Sequence, residues 1–364
     1  MSSVVLFVNA QKYAGWKTVQ ITKNLQAVSA GFSLSVSDKN NALIKRLPSH
    51  SVSIRPGDAC VIELDGQRII TGYVDKVSPS FDSSQHGLSI TGRDKTADLV
   101  DCSILNTPGE FNQLKLDRIV SILCKPFGIN VQVETDVGAP IDVFSIQPGE
   151  SVWEAIERAM RVRGVLIISD GFGDVVITHG PKNKERNKEK NNRAATALIQ
   201  GENILSASAE FNHSDRFSVY KVEATSPWSD DLPAEFANAI EGEAKDKNIL
   251  RYRPKIIKAE AAGSTAQAQT RAGWEAVVRA GRSGAYQITT PGWTQVNGEL
   301  WSINTLVAVN SDWLSINGDL LITGVSFSKN NQSGTTTQLT LMRPDAFELK
   351  PEIPPDTDPW NLVG

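Results

Sequence analysis

The side chains best suited to catalysis or metal binding are few in this sequence and widely spaced. None of the four histidines stands in an HExxH pattern or in another spacing that brings two imidazoles to one metal. They are His50, His86, His179 and His213. The three cysteines form no CxxC pair, and they are Cys60, Cys102 and Cys124. We therefore predict no metal site and no cofactor, and we interpret the cysteines as buried apolar thiols of a protein made in a reducing compartment.

Nucleophilic and acid–base catalysis have no clear residues either. A serine hydrolase would need a GxSxG nucleophile elbow, and the sequence has none. The glycines of 281–284 (GRSG) are predicted to stop a helix, and those of 171–173 (GFG) are predicted to form a hairpin turn. Two carboxylate pairs are close in sequence, Glu154 with Glu157 and Glu241 with Glu243. No apolar pocket that would raise the pKa of an acid accompanies them, so we predict no catalytic residues.

The charge pattern argues against a protein that holds nucleic acid. The chain has 37 basic and 41 acidic residues and a net charge of −4. Residues 182–193 (KNKERNKEKNNR) are the one candidate for a nucleic-acid contact, with six basic and two acidic side chains but no aromatic ones for base stacking. A solvated loop is the favoured interpretation. No apolar run approaches the ~18 residues of a membrane span, so we expect no stable membrane insertion.

The elements that would position a site are mainly β. Val4–Val8 and the alternating segment 31–37 (GFSLSVS) are predicted strands. Asp65-Gly66 predicts a two-residue hairpin turn between strands at 60–64 and 68–77. The polar segment 78–87 is predicted to be a loop before a strand at 88–92.

Three helices are predicted among these strands. Residues 114–125 have apolar side chains at helical spacing. A helix at 151–163 begins with the capping box Ser151 and Glu154 and ends at Gly164. A third helix follows Ser264 and stops at Gly281. The polar segment 226–248 is predicted to be a loop.

The two ends of the folded region share a pattern. An apolar strand ending in Thr-Gly (69–74), a polar tip and a returning strand closed by Arg and Asp (88–94) recur about 250 residues later at 321–325 and 339–345. Chance is one explanation, because hairpins share turn chemistry. The alternative is two copies of one β-barrel separated by an insertion.

The second explanation gives an α+β, mainly β fold with two similar β-barrel domains and smaller α/β modules. We predict a first β-barrel at 1–100, a small α/β domain at 101–181 and a charged linker at 182–193. A second β-barrel with a helical insertion follows at 194–349, and an extended Pro-rich tail at 350–364. Two barrels per chain would let a cyclic trimer form a ring with pseudo-six-fold symmetry.

Several segments resemble the tail protein of Mu-like phages. They are ITGRDKTADLVD at 90–101, SVWEAIERA at 151–159, GELWSINTLVAVNSDWLSINGDLLITGVSFS at 298–328 and GTTTQLTLMRPDAF at 334–347. The family belongs to the baseplate hubs of contractile tails, which include the hub half of type VI secretion spike proteins. The resemblance implies a homotrimer in the virion tail baseplate, assembled in the host cytoplasm. Its ring would join the tail tube protein to the central spike, contact other baseplate proteins and let DNA pass during ejection without binding it specifically.

Two other functions stay open at this point. A carbohydrate-binding tail adhesin would need exposed aromatic clusters, and the candidates Trp228, Trp293 and Trp313 are scattered. A cell-wall hydrolase would need a catalytic constellation, which the sequence lacks.

Overall fold

The computed structural model describes residues 3–38, 54–83, 86–105, 109–180, 192–224, 240–258 and 265–348. The predicted linker at 182–193 lies outside the described residues except for its last two positions, and the predicted tail at 350–364 lies wholly outside them. The chain divides into two compact units. The first contains Met1–Ala209 and Tyr286–Leu341, and the second contains Glu210–Ala285 and Met342–Gly364.

The chain begins with seven strands. They are β1 (Val4–Val8), β2 (Gln11–Tyr13), β3 (Thr18–Asn24), β4 (Ala27–Asp38), β5 (Ala59–Leu64), β6 (Gln67–Phe81) and β7 (His86–Asp94). Burial alternates along them, because successive side chains of a strand point to opposite faces. The predicted two-residue turn at Asp65-Gly66 is confirmed: both residues have positive φ, and Leu64 pairs with Gln67 across it.

A smaller α/β segment follows. Its elements are α1 (Ala97–Asp101), β8 (Glu110–Leu114), α2 (Leu116–Cys124), β9 (Val131–Val133), β10 (Ile141–Ser145), α3 (Val152–Arg163), β11 (Leu166–Ser169) and β12 (Val175–Thr178). The capping box predicted for α3 is present, with Ser151 and Glu154 each accepting a backbone hydrogen bond from the other residue. Gly164 ends the helix in the left-handed conformation. Apolar side chains of α2, α3 and the hairpin strands β11 and β12 form one buried core.

The remaining elements complete both units. They are β13 (Leu198–Ile199), β14 (Ser206–Phe211), β15 (Val219–Ala224), β16 (Ile240–Lys245), β17 (Pro254–Lys258), α4 (Thr265–Arg282), β18 (Gly284–Pro291), β19 (Thr305–Ser311), β20 (Ile316–Asn330) and β21 (Gly334–Met342). The helix predicted after Ser264 is α4, and residues 281–284 end it as expected. The prediction of a loop throughout 226–248 is wrong for its last part, because β16 pairs with β15 along six residues despite its polar sequence.

Thirteen strands form one large sheet. The hydrogen-bonded order is β14-β18-β21-β20-β3-β4-β7-β6-β5-β1-β2, with β19 paired to β20 and to β13. The protein is mainly β, as predicted. Among the described strands, however, we find no closed barrel, because β20 pairs directly with β3 and so joins the strands of both predicted barrels in one open sheet.

The pattern that recurs in the sequence corresponds to two hairpins of matching size, β6–β7 and β20–β21, which we call the echo hairpins. β6 and β20 each have 15 residues. Their partners β7 and β21 each have 9. The polar segments predicted as loops are mostly strand, since β6 extends to Phe81, β7 starts at His86, and β20 extends to Asn330. Pairing with the neighbouring strand satisfies the backbone there without any need for apolar side chains.

In the second unit, helix α4 covers a three-stranded sheet of order β16-β15-β17. Val222, Ala268 and Ala272 form its small core. Gly242 lets the helix approach, because a Cβ atom at this position would lie 2.2 Å from the backbone of Ala268. The side-chain amide of Gln269 accepts a hydrogen bond from Glu243 N at 3.0 Å and donates one to Glu243 O at 2.7 Å. Gln269 thereby caps the outer edge of β16 at this position.

Candidate functional site

The first β segment and the α/β segment meet at a buried carboxylate, that of Asp94, which is 1% exposed. Its Oδ1 accepts hydrogen bonds from the hydroxyls of Ser29 at 3.1 Å and Thr96 at 2.6 Å. Its Oδ2 accepts them from Ala30 N at 3.0 Å and the hydroxyl of Ser169 at 2.6 Å. Four donors therefore satisfy both oxygens, which a buried carboxylate requires.

Lys23 adds a cation to this cluster. Its Nζ donates to Ser169 O at 3.2 Å. Burial lowers the pKa of the Lys23 ammonium, and the carboxylates of Asp94 and Asp170 oppose that shift. Ser169 thus contacts both charged groups, one through its hydroxyl and one through its carbonyl.

The turn of the β11–β12 hairpin packs against β6. The hydroxyl of Thr71 donates to Gly171 O at 2.9 Å, and the Arg68 guanidinium lies 5.1 Å from the ring centroid of Phe172. Glycine is required here, because a Cβ on Gly171 would lie 2.6 Å from Arg68 O, and one on Gly173 would lie 2.6 Å from Thr71 O. The prediction that residues 171–173 form a turn is confirmed, and the turn fastens the two segments together.

A partly exposed ion pair lies beside the buried cluster. Arg93 binds Asp75 through Nε at 2.8 Å and Asp101 through a terminal nitrogen at 2.7 Å. The hydrogen bond from Arg93 lowers the pKa of Asp101, and the two carboxylates raise the pKa of Arg93. The segment ITGRDKTADLVD therefore supplies structural contacts through Arg93, Asp94, Thr96 and Asp101.

The tips of the two echo hairpins differ in surface chemistry. In the first, Phe81 is 83% exposed, and its ring stacks on His86 with centroids 6.1 Å apart. In the second, Phe327 is fully buried, and Ser328 O accepts a hydrogen bond from the indole of Trp293 at 3.1 Å. The repeat is therefore one of backbone, and only the first tip presents an aromatic side chain to solvent.

The histidines are not brought together. His50 lies outside the described residues. His179 Nδ1 contacts Gly180 O at 2.6 Å, and His213 lies 3.4 Å from a guanidinium nitrogen of Arg216. No group of three or more metal-ligating side chains occurs in the described part of the chain.

The carboxylate pairs make structural contacts. Glu154 caps α3, and Glu157 pairs with Arg161. Glu241 and Glu243, predicted in a loop, lie on β16 and pair with Lys221 and Lys245. These contacts provide no apolar pocket around an acid.

The aromatic and thiol predictions are met in part. Trp313 is 86% exposed, Trp293 is buried, and Trp228 lies outside the described residues, so the described tryptophans form no exposed cluster. Cys60 and Cys124 are buried as predicted. The prediction is wrong for Cys102, which is exposed because it caps the C-terminal end of the short α1.

One depression in the first unit, of about 400 Å³, lies on β1, β5 and β6. Tyr73, Cys60 and Lys95 are its titratable lining residues. Burial raises the pKa of the Cys60 thiol to about 12. The lining contains no imidazole and no carboxylate.

The sequence interpretation missed a basic segment in the second unit. Lys247–Lys258 (KNILRYRPKIIK), which we call the basic strip, contains five cations and no acidic residue. It runs from the loop after β16 through β17 and exposes Leu250, Tyr252 and Ile256. The absence of acids over twelve residues was the signal that could have identified it.

Three family models match successive parts of the chain. Residues 3–94 match the N-terminal domain of the Mu phage baseplate assembly protein GpP-like family. Residues 96–179 match the second domain of baseplate hub protein gp44-like, and residues 264–350 match the fourth domain of GpP. The first two models meet at Asp94, whose carboxylate binds both segments.

A curated relative decides the family. Baseplate hub protein gp44 of Escherichia phage Mu is 30% identical over 372 residues, which cover 100% of this chain and 92% of the relative. The chain belongs to the Mu phage baseplate hub family. This is a family of structural tail proteins and not an enzyme family. None of the helices in the described ranges has the length and hydropathy of a membrane span.

Two solved structures share this fold. The 43 kDa tail protein of prophage MuSo2 from Shewanella oneidensis is 36% identical, with a TM-score of 0.81 over 95% of this chain and 99% of that one. The E. coli c3393 protein, a type VI secretion component described as similar to T4 gp27 and gp5, shares the fold at 11% identity. Its TM-score is 0.54 over 96% of this chain and 80% of that one.

Proposed function

We propose that this baseplate hub acts as a homotrimeric, pseudo-six-fold ring that joins the tail tube to the central spike. The observation that carries the proposal is the pair of hairpins β6–β7 and β20–β21, which have equal strand lengths within one chain. Three chains would present six such hairpins. A ring of six similar elements built from three chains is a simple way to match a three-fold spike to a six-fold tube.

One end of the large sheet supports contact between copies. In the described residues β14 is an end strand, and five of its six residues are exposed. Leu205, immediately before it, is 58% exposed. A strand with neither face buried gains little from packing in the isolated chain, so a neighbouring copy would supply the missing contacts.

Solution mass tests the trimer. We expect light scattering to give three times the 39.6 kDa mass of the chain for the hub alone, or three hub chains plus the mass of the spike when the spike protein is bound. Leu205→Asp should shift the population to monomer. Val143→Asp is the matched control, because Val143 on β10 is equally exposed at 59%. A monomer at all concentrations with the spike present would contradict the proposal, as would equal effects of the two substitutions.

The exposed tip around Phe81 and His86 is proposed to contact the tail tube protein. Deletion of residues 80–86 should stop tube assembly on the hub, whereas deletion of residues 331–333 at the second tip should have a smaller effect, since that tip lacks an exposed aromatic. Normal tail lengths in the first deletion, seen by electron microscopy, would contradict this contact.

DNA is proposed to pass through the ring without specific binding. A trimer carries a net charge of −12, which is three times the −4 of the chain. Repulsion of phosphates by this net charge would limit friction during ejection. A gel-shift titration with duplex DNA at about 150 mM salt should show no retained complex; retention would count against the conduit.

Association with the spike is proposed from the similarity to the c3393 protein. The c3393 protein is described as similar to both gp27 and gp5 of phage T4. We propose that this hub binds the spike as a separate chain, and that both lie in the virion tail baseplate. Co-purification of the hub with its spike after co-expression tests this partner directly.

A further inference from the structure

The basic strip of the second unit presents a fixed, solvent-facing set of side chains. Leu250 is 96% exposed and Tyr252 is 87% exposed, with Arg251 between them also exposed. Ile256, on β17, is 58% exposed. Large apolar side chains seldom lie exposed so close together unless another surface covers them.

Contacts on both sides hold the exposed residues in place. Before them, Ile249 is buried, and its N–H donates to Asp246 O at 3.1 Å. After them, Arg253 N donates to the hydroxyl of Ser218 at 2.9 Å, and Arg253 O accepts from Ser218 N at 2.8 Å. Residues 250–252 are therefore displayed between two anchored points, which lowers the entropy lost on binding.

The ring of Phe217 fixes the orientation of two cations of the strip. The Arg253 guanidinium lies 5.2 Å and the Lys255 ammonium 5.4 Å from its centroid. The Arg253 side chain also donates to Arg216 O and Ser214 O at 3.1 and 2.8 Å. Among the described residues no carboxylate forms an ion pair with a cation of the strip. The positive charge therefore stays available to an acidic ligand.

We propose that the basic strip binds the C-terminal tail of the hub, residues 351–364 (PEIPPDTDPWNLVG). The tail has three acidic residues and no basic one, so its charge complements the strip. It also has four prolines, which favour an extended chain that docks on exposed aromatic side chains. Its apolar residues, Trp360 above all, match Leu250 and Tyr252.

The tail starts within the same unit. Glu348, the last described residue, accepts a hydrogen bond at its carbonyl from the indole of Trp274 at 2.9 Å. Asp356 and Asp358 follow by eight and ten residues, so an extended chain brings them anywhere within roughly 26–36 Å of Glu348. Arg and Tyr are the residues that most often dominate such interfaces, which agrees with the Leu-Arg-Tyr-Arg run of the strip.

Photo-crosslinking in the full-length hub tests the proposal. With p-benzoylphenylalanine in place of Tyr252, mass spectrometry should find crosslinks concentrated in residues 351–364. The same photoreactive residue in place of Trp313, which is equally exposed at 86%, is the control and should give none with the tail. Asp356→Asn with Asp358→Asn, and separately Arg251→Glu, should each reduce the yield about tenfold, and 0.5 M salt should reduce it as well.

The thermal midpoint checks folding, and Arg251→Glu should not move it because the Arg251 side chain is exposed. Crosslinks to other parts of the chain, equal yields from both photoreactive positions, or a yield indifferent to the charge changes would each overturn the proposal. Added single-stranded oligonucleotide that crosslinks to position 252 and displaces the tail crosslink would assign the strip to nucleic acid instead. When isotopically light and heavy chains are mixed, crosslinks that join a light peptide to a heavy one come from binding between copies, and their absence indicates binding within a chain. Either result supports the assignment.

Discussion

Asp94 and Ser169 are 75 residues apart in sequence, and the hydroxyl of Ser169 donates to Asp94 Oδ2 at 2.6 Å. This bond joins the last residue of β7 to the last residue of β11. It therefore connects two segments that match two different family domains. With Ser29, Ala30 and Thr96 as further donors, the carboxylate fixes the relative placement of both.

Asp94→Ala should destabilise the first unit strongly. The substitution leaves four donors without their acceptor, and each buried unsatisfied group costs about 1–3 kcal/mol. We expect the free energy of unfolding to fall by about 4 kcal/mol in urea denaturation, against about 1 kcal/mol for Ser169→Ala. Asp142→Ala on exposed β10 is the control and should change little. Equal losses for the Asp94 and Asp142 variants would contradict the role of the cluster.

Two glycines with similar backbones should respond differently to alanine. Gly57 has φ +90° and nothing within 4 Å of an added Cβ, whereas Gly173 has φ +76° and Thr71 O at 2.6 Å. Gly57→Ala should cost about 1 kcal/mol from backbone strain alone. Gly173→Ala should cost about 2 kcal/mol more, because the turn must withdraw from β6. Matching thermal midpoints for the two variants would argue against the docking of this turn.

The second unit should weaken in acid through Asp246. Its carboxylate is buried, and burial alone would raise its pKa, but hydrogen bonds from Arg216 and Asn248 N lower it on balance. A carboxyl whose folded pKa is depressed adds stability above its unfolded pKa, near 3.8, and loses it as the pH falls through the folded value. Asp246→Asn should cost about 3 kcal/mol at pH 7, since it breaks a buried ion pair with Nε–Oδ2 distance 2.5 Å.

Hydrogen exchange of peptides from 210–224 and 240–258 at pH 7, 4 and 3 would measure this loss. The variant should show less dependence on pH than the unaltered chain. Asp215→Asn is the control, because Asp215 is an exposed partner of Arg279. A steeper dependence on acid in the Asp246 variant would reverse the sign and refute the argument.

The three thiols should separate by accessibility. Burial raises the pKa of Cys60 and of Cys124 to about 12, and thiolates are the reactive form, whereas Cys102 is exposed. At pH 8 a thiol reagent should modify one cysteine per folded chain and three per chain in urea. Cys102→Ser should abolish the reaction of the folded form. Rapid modification of two or more thiols in the folded chain would contradict the burial.

Turns and helix ends could be predicted from short-range signals in the sequence. The Asp65-Gly66 turn, the Ser151 capping box and the turn at 171–173 depend on short-range chemistry, and the structure has all three. The loop predicted at 226–248 is wrong only for its last part, where β16 is stabilised by pairing with β15 and by packing under α4, not by an apolar pattern of its own; residues 226–239 lie outside the described residues. Joining of both echo hairpins in one sheet depends on the pairing of Ile21 with Phe327, which no local pattern could reveal.

Interaction surfaces were harder to predict than elements. The sequence interpretation gave weight to the charged run at 182–193 because it is dense in lysine, and it passed over the strip at 247–258. From sequence alone Leu250 and Tyr252 could equally have been core residues, and their exposure follows from the anchors at Ile249 and Arg253. Asp94 was likewise visible only as the closing residue of a strand.

The two hydrogen bonds between the Gln269 amide and the Glu243 backbone limit how the sheet of the second unit can be extended by strands from other copies. A sheet that polymerises from copy to copy needs two open edges, one to donate and one to receive. Gln269 already binds the backbone of Glu243 on the edge strand β16. A strand from another copy would therefore add at the β17 edge and not at the β16 edge. Gln269→Ala would remove that polarity, and chains crowded together during assembly would then be open to forming filaments instead of closed rings.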